Sequence, residues 1–254
     1  METNKHFILT DESITIENDV KLYRIKCTKK TKGVSIGEMG GFVQSYENLS
    51  DNAWESGDAR VSGNAKVGGT AKVYSRAQVY GNAIVYGNAI VSDAAQVYDN
   101  AKVYGNAWVS DNARVYDDAR VSDACVYGDA KVYCNAKVSG NAKVYGNAKV
   151  YGDANVGGSA IVYANAKVYG VAEVYSTAWV HGNAWVFGDA EVYDDAWVSG
   201  NAKVYDNAKV CGNAEVYDNA EVYGDAEVYD NAWVYGEAKL YGNAEVAGNT
   251  KVYE

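Results

Sequence analysis

Few side chains in this sequence could carry out acid–base or metal chemistry. The 254 residues include two histidines and four cysteines; the histidines are too few for most metal sites, and no cysteine pair has Cys-x-x-Cys spacing. His181 could act as a general base, but the sequence around it has no insertion that would build a pocket. Asp117-Asp118 and Asp194-Asp195 could attract a cation, although their place in the chain favours turn residues. We therefore expect no metal, no cofactor and no enzymatic activity.

The residues best suited to binding are aromatic. The sequence has 23 tyrosines and 6 tryptophans, and most recur at multiples of six residues. Aromatic rings in a row could bind sugars, nucleotides or another protein, whereas the simpler alternative is that stacked tyrosines only stabilise a sheet. The candidate binding residues are Tyr80, Tyr98, Tyr116, Tyr133, Tyr151, Tyr169, Tyr205, Tyr223, Trp108, Trp179, Trp197 and Trp233.

These aromatic residues belong to a six-residue repeat. An aliphatic residue recurs every six positions from Val43 to Val252, except at Glu55 and with one residue missing between Val121 and Val126. In Ala-x-Val-y, Ala and Val point to one side of a short strand and x and y to the other. Gly or Asp, followed by Asn or Asp, then supplies a tight corner. A period of six does not fit a helix.

Strands this short must coil and stack on one another, because none can bury a face alone. Three hexapeptides per coil make a triangular prism of about twelve coils, with Val and Ala inside. The predicted fold is therefore all-β, a single-stranded parallel β-helix over residues 43–254. Outward residues should form columns along each of three faces, and neighbours in a column should be eighteen residues apart in the sequence.

Residues 1–42 do not follow the repeat. Residues 14–16 and 20–22 alternate in hydrophobicity around a polar turn at 17–19, which predicts a β-hairpin. We expect the segment 1–42 to cap the first coil, as a solenoid requires; a recognition head is the alternative.

Two further features concern the ends of the repeat. Glu55 at an aliphatic position predicts an irregular first coil in which Trp54 turns inward, and a functional buried carboxylate is the alternative. The repeat continues to Glu254, so we expect the last coil to present a backbone edge on which another copy could stack.

The sequence also resembles a known family. The pattern [Leu/Ile/Val]-x-x-x-[small]-x resembles the left-handed β-helix of hexapeptide-repeat proteins. Leu22-Tyr-Arg-Ile-Lys, Gly37-Glu-Met-Gly-Gly-Phe-Val43 and Glu47-Asn-Leu-Ser-Asp-Asn-Ala-Trp54 look like the opening of YdcK-like proteins of bacteria and phages. The resemblance covers nearly the whole chain and implies left-handed coiling. YdcK-like proteins are often labelled transferases by analogy with acyltransferases, which use a His base in a cleft between subunits.

Composition and charge indicate which partners and which cellular location to expect. The net charge is -10 and the pI about 4.8, so we expect no nucleic-acid partner and no binding to anionic membrane. The N-terminus has no apolar signal region, and no apolar run approaches the ~20 residues of a membrane span. Free cysteines, expected to face solvent, suit a reducing compartment, so a cytoplasmic location is expected.

The three predicted faces differ in chemistry. The first carries the tyrosine column that begins at Tyr80, and the second a column that changes from basic to acidic, which would suit two antiparallel copies. The third carries the tryptophan column, beside tyrosines, and residues of this kind dominate protein interfaces. The best interpretation is a non-enzymatic solenoid that binds a partner or forms homo-oligomers, side by side or end to end. The alternatives are a binding protein for nucleotides or glycans and a hexapeptide acyltransferase.

Overall fold

The computed structural model describes residues 6–31 and 33–254, and its contacts divide the chain into two compact units, Met1–Asp123 and Ala124–Glu254. The coils of each unit are built of parallel β-strands joined by tight corners, and the first unit also contains an antiparallel hairpin. Across the described residues no helix has the length and apolar character of a transmembrane segment.

The first unit opens with three longer strands, β1 (Phe7–Thr15), β2 (Lys21–Cys27) and β3 (Met39–Val43). Strands β1 and β2 form an antiparallel hairpin around a short 3-10 turn at Glu17–Asp19, where the hairpin was predicted. Strand β2 pairs antiparallel with β3. A second 3-10 turn spans Tyr46–Asn48.

Strand β3 joins this hairpin to the coils. It pairs in parallel with the strand at Arg60–Val61, with Phe42 beside Arg60 and Val43 beside Val61. A Cβ at Gly40 would lie 2.4 Å from Cγ1 of Ile25. Only glycine therefore lets β2 lie so close to β3.

The remaining strands of the first unit are two or three residues long. In chain order they are β4 (Trp54–Glu55), β5 (Arg60–Val61), β6 (Lys66–Val67), β7 (Lys72–Val73), β8 (Gln78–Val79), β9 (Ile84–Val85), β10 (Ile90–Val91), β11 (Gln96–Val97), β12 (Lys102–Tyr104), β13 (Trp108–Val109), β14 (Arg114–Val115) and β15 (Arg120–Ser122). Every third strand belongs to the same sheet: β3-β5-β8-β11-β14 on the first face, β6-β9-β12-β15 on the second and β4-β7-β10-β13 on the third.

The second unit repeats the plan. Its strands are β16 (Cys125–Val126), β17 (Lys131–Val132), β18 (Lys137–Ser139), β19 (Lys143–Val144), β20 (Lys149–Val150), β21 (Asn155–Val156), β22 (Ile161–Val162), β23 (Lys167–Val168), β24 (Glu173–Val174), β25 (Trp179–Val180), β26 (Trp185–Val186), β27 (Glu191–Val192), β28 (Trp197–Val198), β29 (Lys203–Val204), β30 (Lys209–Val210), β31 (Glu215–Val216), β32 (Glu221–Val222), β33 (Glu227–Val228), β34 (Trp233–Tyr235), β35 (Lys239–Leu240), β36 (Glu245–Val246) and β37 (Lys251–Tyr253). The first face runs from β17 to β35, the second from β18 to β36 and the third from β16 to β37, again by every third strand.

The core of both units is the predicted one. From Ala59 to Val234 the Ala and Val of each hexapeptide are at most 1% exposed. The first of the two corner residues adopts positive φ, as in Gly146 (+69°) and Asp117 (+56°), which explains the preference for Gly and Asp there. The all-β parallel solenoid of about twelve coils is thus confirmed.

The residue missing after Val121 shortens one corner of the first unit. Asp123 stands there with φ of +57°. Its side-chain Oδ1 accepts hydrogen bonds from the backbone N–H of Asn106 at 2.9 Å and from the Asn106 Nδ2 at 3.1 Å. In other coils a backbone carbonyl has this role, as when Gly105 accepts from Asn88 at 2.8 Å. The carboxylate therefore replaces the carbonyl that a full-length corner would supply.

Candidate binding surface

The first face of the first unit carries stacked tyrosines. Tyr80 and Tyr98 have ring centroids 4.9 Å apart and parallel planes, and so have Tyr98 and Tyr116. The spacing follows from in-register pairing, because Val79 lies beside Val97 and Val97 beside Val115. The predicted column spacing of eighteen holds along this face.

The first face of the second unit has a longer stack. Neighbouring centroids are 4.8 to 4.9 Å apart from Tyr133 to Tyr223. Burial within the stack raises the pKa of Tyr151 to about 12, so this phenol stays neutral at physiological pH. The members are Tyr133, Tyr151, Tyr169, Phe187, Tyr205 and Tyr223, with Tyr241 at the end.

The third face of the first unit presents one exposed tryptophan. Trp108 is 48% exposed, and its Nε1 donates to the hydroxyl of Ser92 at 3.3 Å. Ser92 lies in the preceding coil, so the indole leans back across the face. Trp54 of the same sheet is only 5% exposed, but its predicted inward turn is wrong, because strand pairing sets Trp54 beside the outward Lys72 and Glu55 beside the core residue Val73. The N-terminal segment covers Trp54 instead, with the His6 ring 6.1 Å from the indole.

The third face of the second unit contains a continuous group of rings, which we call the aromatic patch: Tyr145, Tyr163, Trp179, His181 and Trp197. Tyr145 stacks on Tyr163 at 5.0 Å, and Tyr163 stacks on His181 at 4.7 Å. Trp179 packs against Trp197 at 5.4 Å with a 38° tilt. The two indoles remain 38% and 40% exposed, so the patch offers two large rings to a partner.

His181 is built into the aromatic patch. Its Nε2 accepts a hydrogen bond from Nε1 of Trp197, which places the proton of the neutral imidazole on Nδ1. Burial lowers the pKa of His181 below its usual value. The imidazole is therefore a neutral stacking element at pH 7.

The remaining outward tryptophans pair with lysines. The ammonium of Lys251 lies 3.9 Å from the ring centroid of Trp233, and that of Lys167 lies 4.1 Å from the ring of Trp185. These cation–π contacts were not foreseen, although the alternation of Lys and Trp at a spacing of eighteen was visible in the sequence.

Asparagine ladders along the corners were also missed. In the first unit Nδ2 of Asn64 donates to Oδ1 of Asn82, and Asn82 donates in turn to Asn100, both at 3.0 Å. In the second unit the same bonds run from Asn147 to Asn219 at 2.9 to 3.1 Å. The repeated Asn after Gly or Asp is the signal that could have revealed them, because in-register amides bond along a stack.

The cysteine prediction is corrected in one place. All four cysteines are free, but Cys27 is 2% exposed and donates its thiol to the carbonyl of Lys29 at 3.2 Å. It lies at the end of β2, where it pairs with Phe7 of β1. Within the described residues no group of three or more His, Cys, Asp or Glu could hold a metal ion.

In-register parallel strands, three faces per coil and a Val and Ala core define a parallel β-solenoid. A family model for the YdcK β-solenoid repeat matches residues 77–93, 95–111 and 113–129, which start at intervals of eighteen residues. Over these residues the chain is similar to the YdcK β-solenoid repeat. No curated protein matches the sequence.

Proposed function

We propose that this protein is a non-enzymatic binding solenoid, and that the aromatic patch joins it to a second copy. The observation that carries the proposal is the pair of adjacent indoles, Trp179 and Trp197, each about two-fifths exposed. Monomeric proteins rarely expose a contiguous apolar group of this kind. Tryptophan and tyrosine are also the residues that most often dominate interface energetics.

The patch is suited to self-association because its rings are already fixed. Each indole is held by a ring neighbour on its own face, at 5.4 Å between the two tryptophans and 6.3 Å between Tyr163 and Trp179. A preorganised surface loses little side-chain entropy on binding. Each buried aromatic side chain covers roughly 150–250 Å², so two copies of the patch supply the apolar centre of a small interface.

The state of His181 supports a non-enzymatic role. Its Nε2 already accepts from Trp197 and one ring face is covered by Tyr163. A general base needs a free nitrogen directed at a substrate. Four free cysteines suit a reducing compartment, and we propose the cytoplasm as the location.

Sedimentation velocity over a concentration series tests the proposal. The wild-type protein should sediment faster as concentration rises, and the double variant Trp179→Ala/Trp197→Ala should remain monomeric. Trp108→Ala is the matched control, because this indole is even more exposed than Trp179 and Trp197 but lies outside the patch. A wild-type protein that stays monomeric at every concentration, or a double variant that still associates, contradicts the proposal.

The acyltransferase alternative has its own test. Acyl-CoA should give no thermal shift with the wild-type protein. A shift that disappears in His181→Ala would instead assign a catalytic role to that residue.

A further inference from the structure

A cleft of about 800 Å³ lies in the first unit between the hairpin turn and the first face. Thr15, Ile16 and Glu17 form the hairpin side, and Arg60, Ser62 and Tyr80 belong to the coil side. The volume is within the range of small-molecule sites, which are concave and carry a few convergent polar groups. No part of the aromatic patch contributes to it.

The tyrosine stack ends at this cleft. Strand pairing places Ser62 beside Tyr80 in the column that continues through Tyr98. Tyr98 covers one face of the Tyr80 ring at 4.9 Å, and no aromatic ring of the described residues stacks on the other face. Serine is too small to fill the ring position of its own coil, and this position, which we call the slot, borders the cleft together with Tyr80.

Three features of the slot favour the binding of a ring. Burial, with a smaller contribution from Tyr98, raises the pKa of Tyr80, which keeps the phenol neutral. Gly63 and Gly81 line the cleft without side chains. The Gln44 side chain is held aside, since its Oε1 accepts from the backbone N–H of Gly63 at 2.8 Å.

Two opposite charges line the cleft. Arg60 is half-buried on the coil side and Glu17 is exposed on the hairpin turn. Neither forms an ion pair of 4.0 Å or less with a residue that the structure describes. A ligand that satisfies both needs a negative and a positive group.

We propose that this cleft binds a free aromatic amino acid, with its ring stacked on Tyr80 in the slot over Ser62. The carboxylate pairs with Arg60 and the ammonium group with Glu17. Offset stacking at the spacing of the column continues the ladder by one ring. The site is independent of the aromatic patch and of self-association.

Isothermal titration of the full chain with L-phenylalanine and L-tryptophan, into the millimolar range, tests the proposal. Both should bind saturably. Ser62→Tyr should abolish binding, because the new ring fills the slot. Tyr80→Ala should weaken binding roughly two- to tenfold, and Tyr80→Phe should leave it unchanged. Tyr104→Ala, which removes an exposed tyrosine of the second face, is the matched control and should bind like wild type.

Charge-deleted ligands test the two ends separately. Glu17→Gln should weaken binding of L-phenylalanine roughly two- to fivefold and leave 3-phenylpropanoate, which lacks the ammonium group, unaffected. Arg60→Gln should weaken the binding of L-phenylalanine. It should leave the binding of phenethylamine, which lacks the carboxylate, unaffected. Circular dichroism checks that each variant is folded.

Several results would overturn the proposal. They are no saturable binding of either amino acid, binding that survives Ser62→Tyr, or preference for a nucleoside monophosphate over both amino acids. If Ser62→Tyr does not fold, an unchanged affinity of Tyr80→Ala for the two amino acids would overturn the proposal instead. Trp179→Ala/Trp197→Ala should retain binding, so failure of this site and failure of self-association are separately visible.

Discussion

Glu55 should make the first coil less stable as pH rises. It stands in β4 at an aliphatic position of the repeat and pairs in register with Val73. The side chain is fully buried, and neither carboxyl oxygen has a hydrogen-bond partner. Burial raises the pKa of Glu55 well above its usual value, because the charged form loses its hydration.

The sign and magnitude follow from proton linkage. Below the pKa of the unfolded chain Glu55 is protonated in both states, so the free energy of unfolding does not depend on its titration. Above that pKa the unfolded chain releases the proton while the folded chain keeps it. The free energy of unfolding then falls by about 1.4 kcal/mol per pH unit until the folded-state pKa is reached. The protonated carboxyl still leaves polar atoms unpaired, which costs roughly 1–3 kcal/mol more.

Urea unfolding followed by circular dichroism, from about pH 5 to about pH 8, measures this slope. Hydrogen exchange of β4 amides gives a local reading if the first coil opens alone. Glu55→Gln should flatten the slope, because the amide is close in shape and does not titrate. Glu55→Leu should be more stable than wild type at pH 7, since no polar atom is then buried unpaired. Equal pH slopes in wild type and Glu55→Gln would refute the reasoning.

Three further predictions concern the coils of the second unit. Gly224→Ala should lower the free energy of unfolding more than Gly242→Ala. Both glycines have positive φ, which costs roughly 1–2 kcal/mol for alanine. Only at Gly224 would the added Cβ also lie 2.8 Å from a backbone nitrogen. Equal losses in urea titrations would contradict this. Asn165→Ala should cost about 1 kcal/mol, measured by thermal unfolding, because two exposed ladder hydrogen bonds disappear. Lys203→Met should raise the pKa of Glu221 in an NMR titration, because the Lys203 hydrogen bond is the main cause that lowers it, and an unchanged pKa would exclude that cause.

The core could be predicted from the repeat, because Val and Ala recur every six residues and alternate with outward residues. Both side chains must therefore point to the inside of the coil. The stacking of Tyr80 on Tyr98 followed from the same register. The orientation of each tryptophan ring could not be predicted from the repeat, because it depends on the side chain at the neighbouring position of the preceding coil. The asparagine ladders were hidden because Asn at a corner is already explained as a turn former. The cleft at Tyr80 could not be predicted, because it depends on where the hairpin turn at Glu17–Asp19 lies.

Interruptions of the columns, more than the repeats themselves, give this solenoid its distinct surfaces. Where Ser62 replaces a ring, the stack ends and Tyr80 borders the cleft. Where Ser92 replaces a ring, Trp108 bends over it and donates to its hydroxyl. Where His181 takes the same place, Trp197 donates to the imidazole instead. Because the Val and Ala core repeats from coil to coil, with Glu55 as an exception in the first coil, a substitution at one outward position changes the surface at little cost to folding. Ser62→Tyr should therefore remove a binding site and leave the fold unchanged.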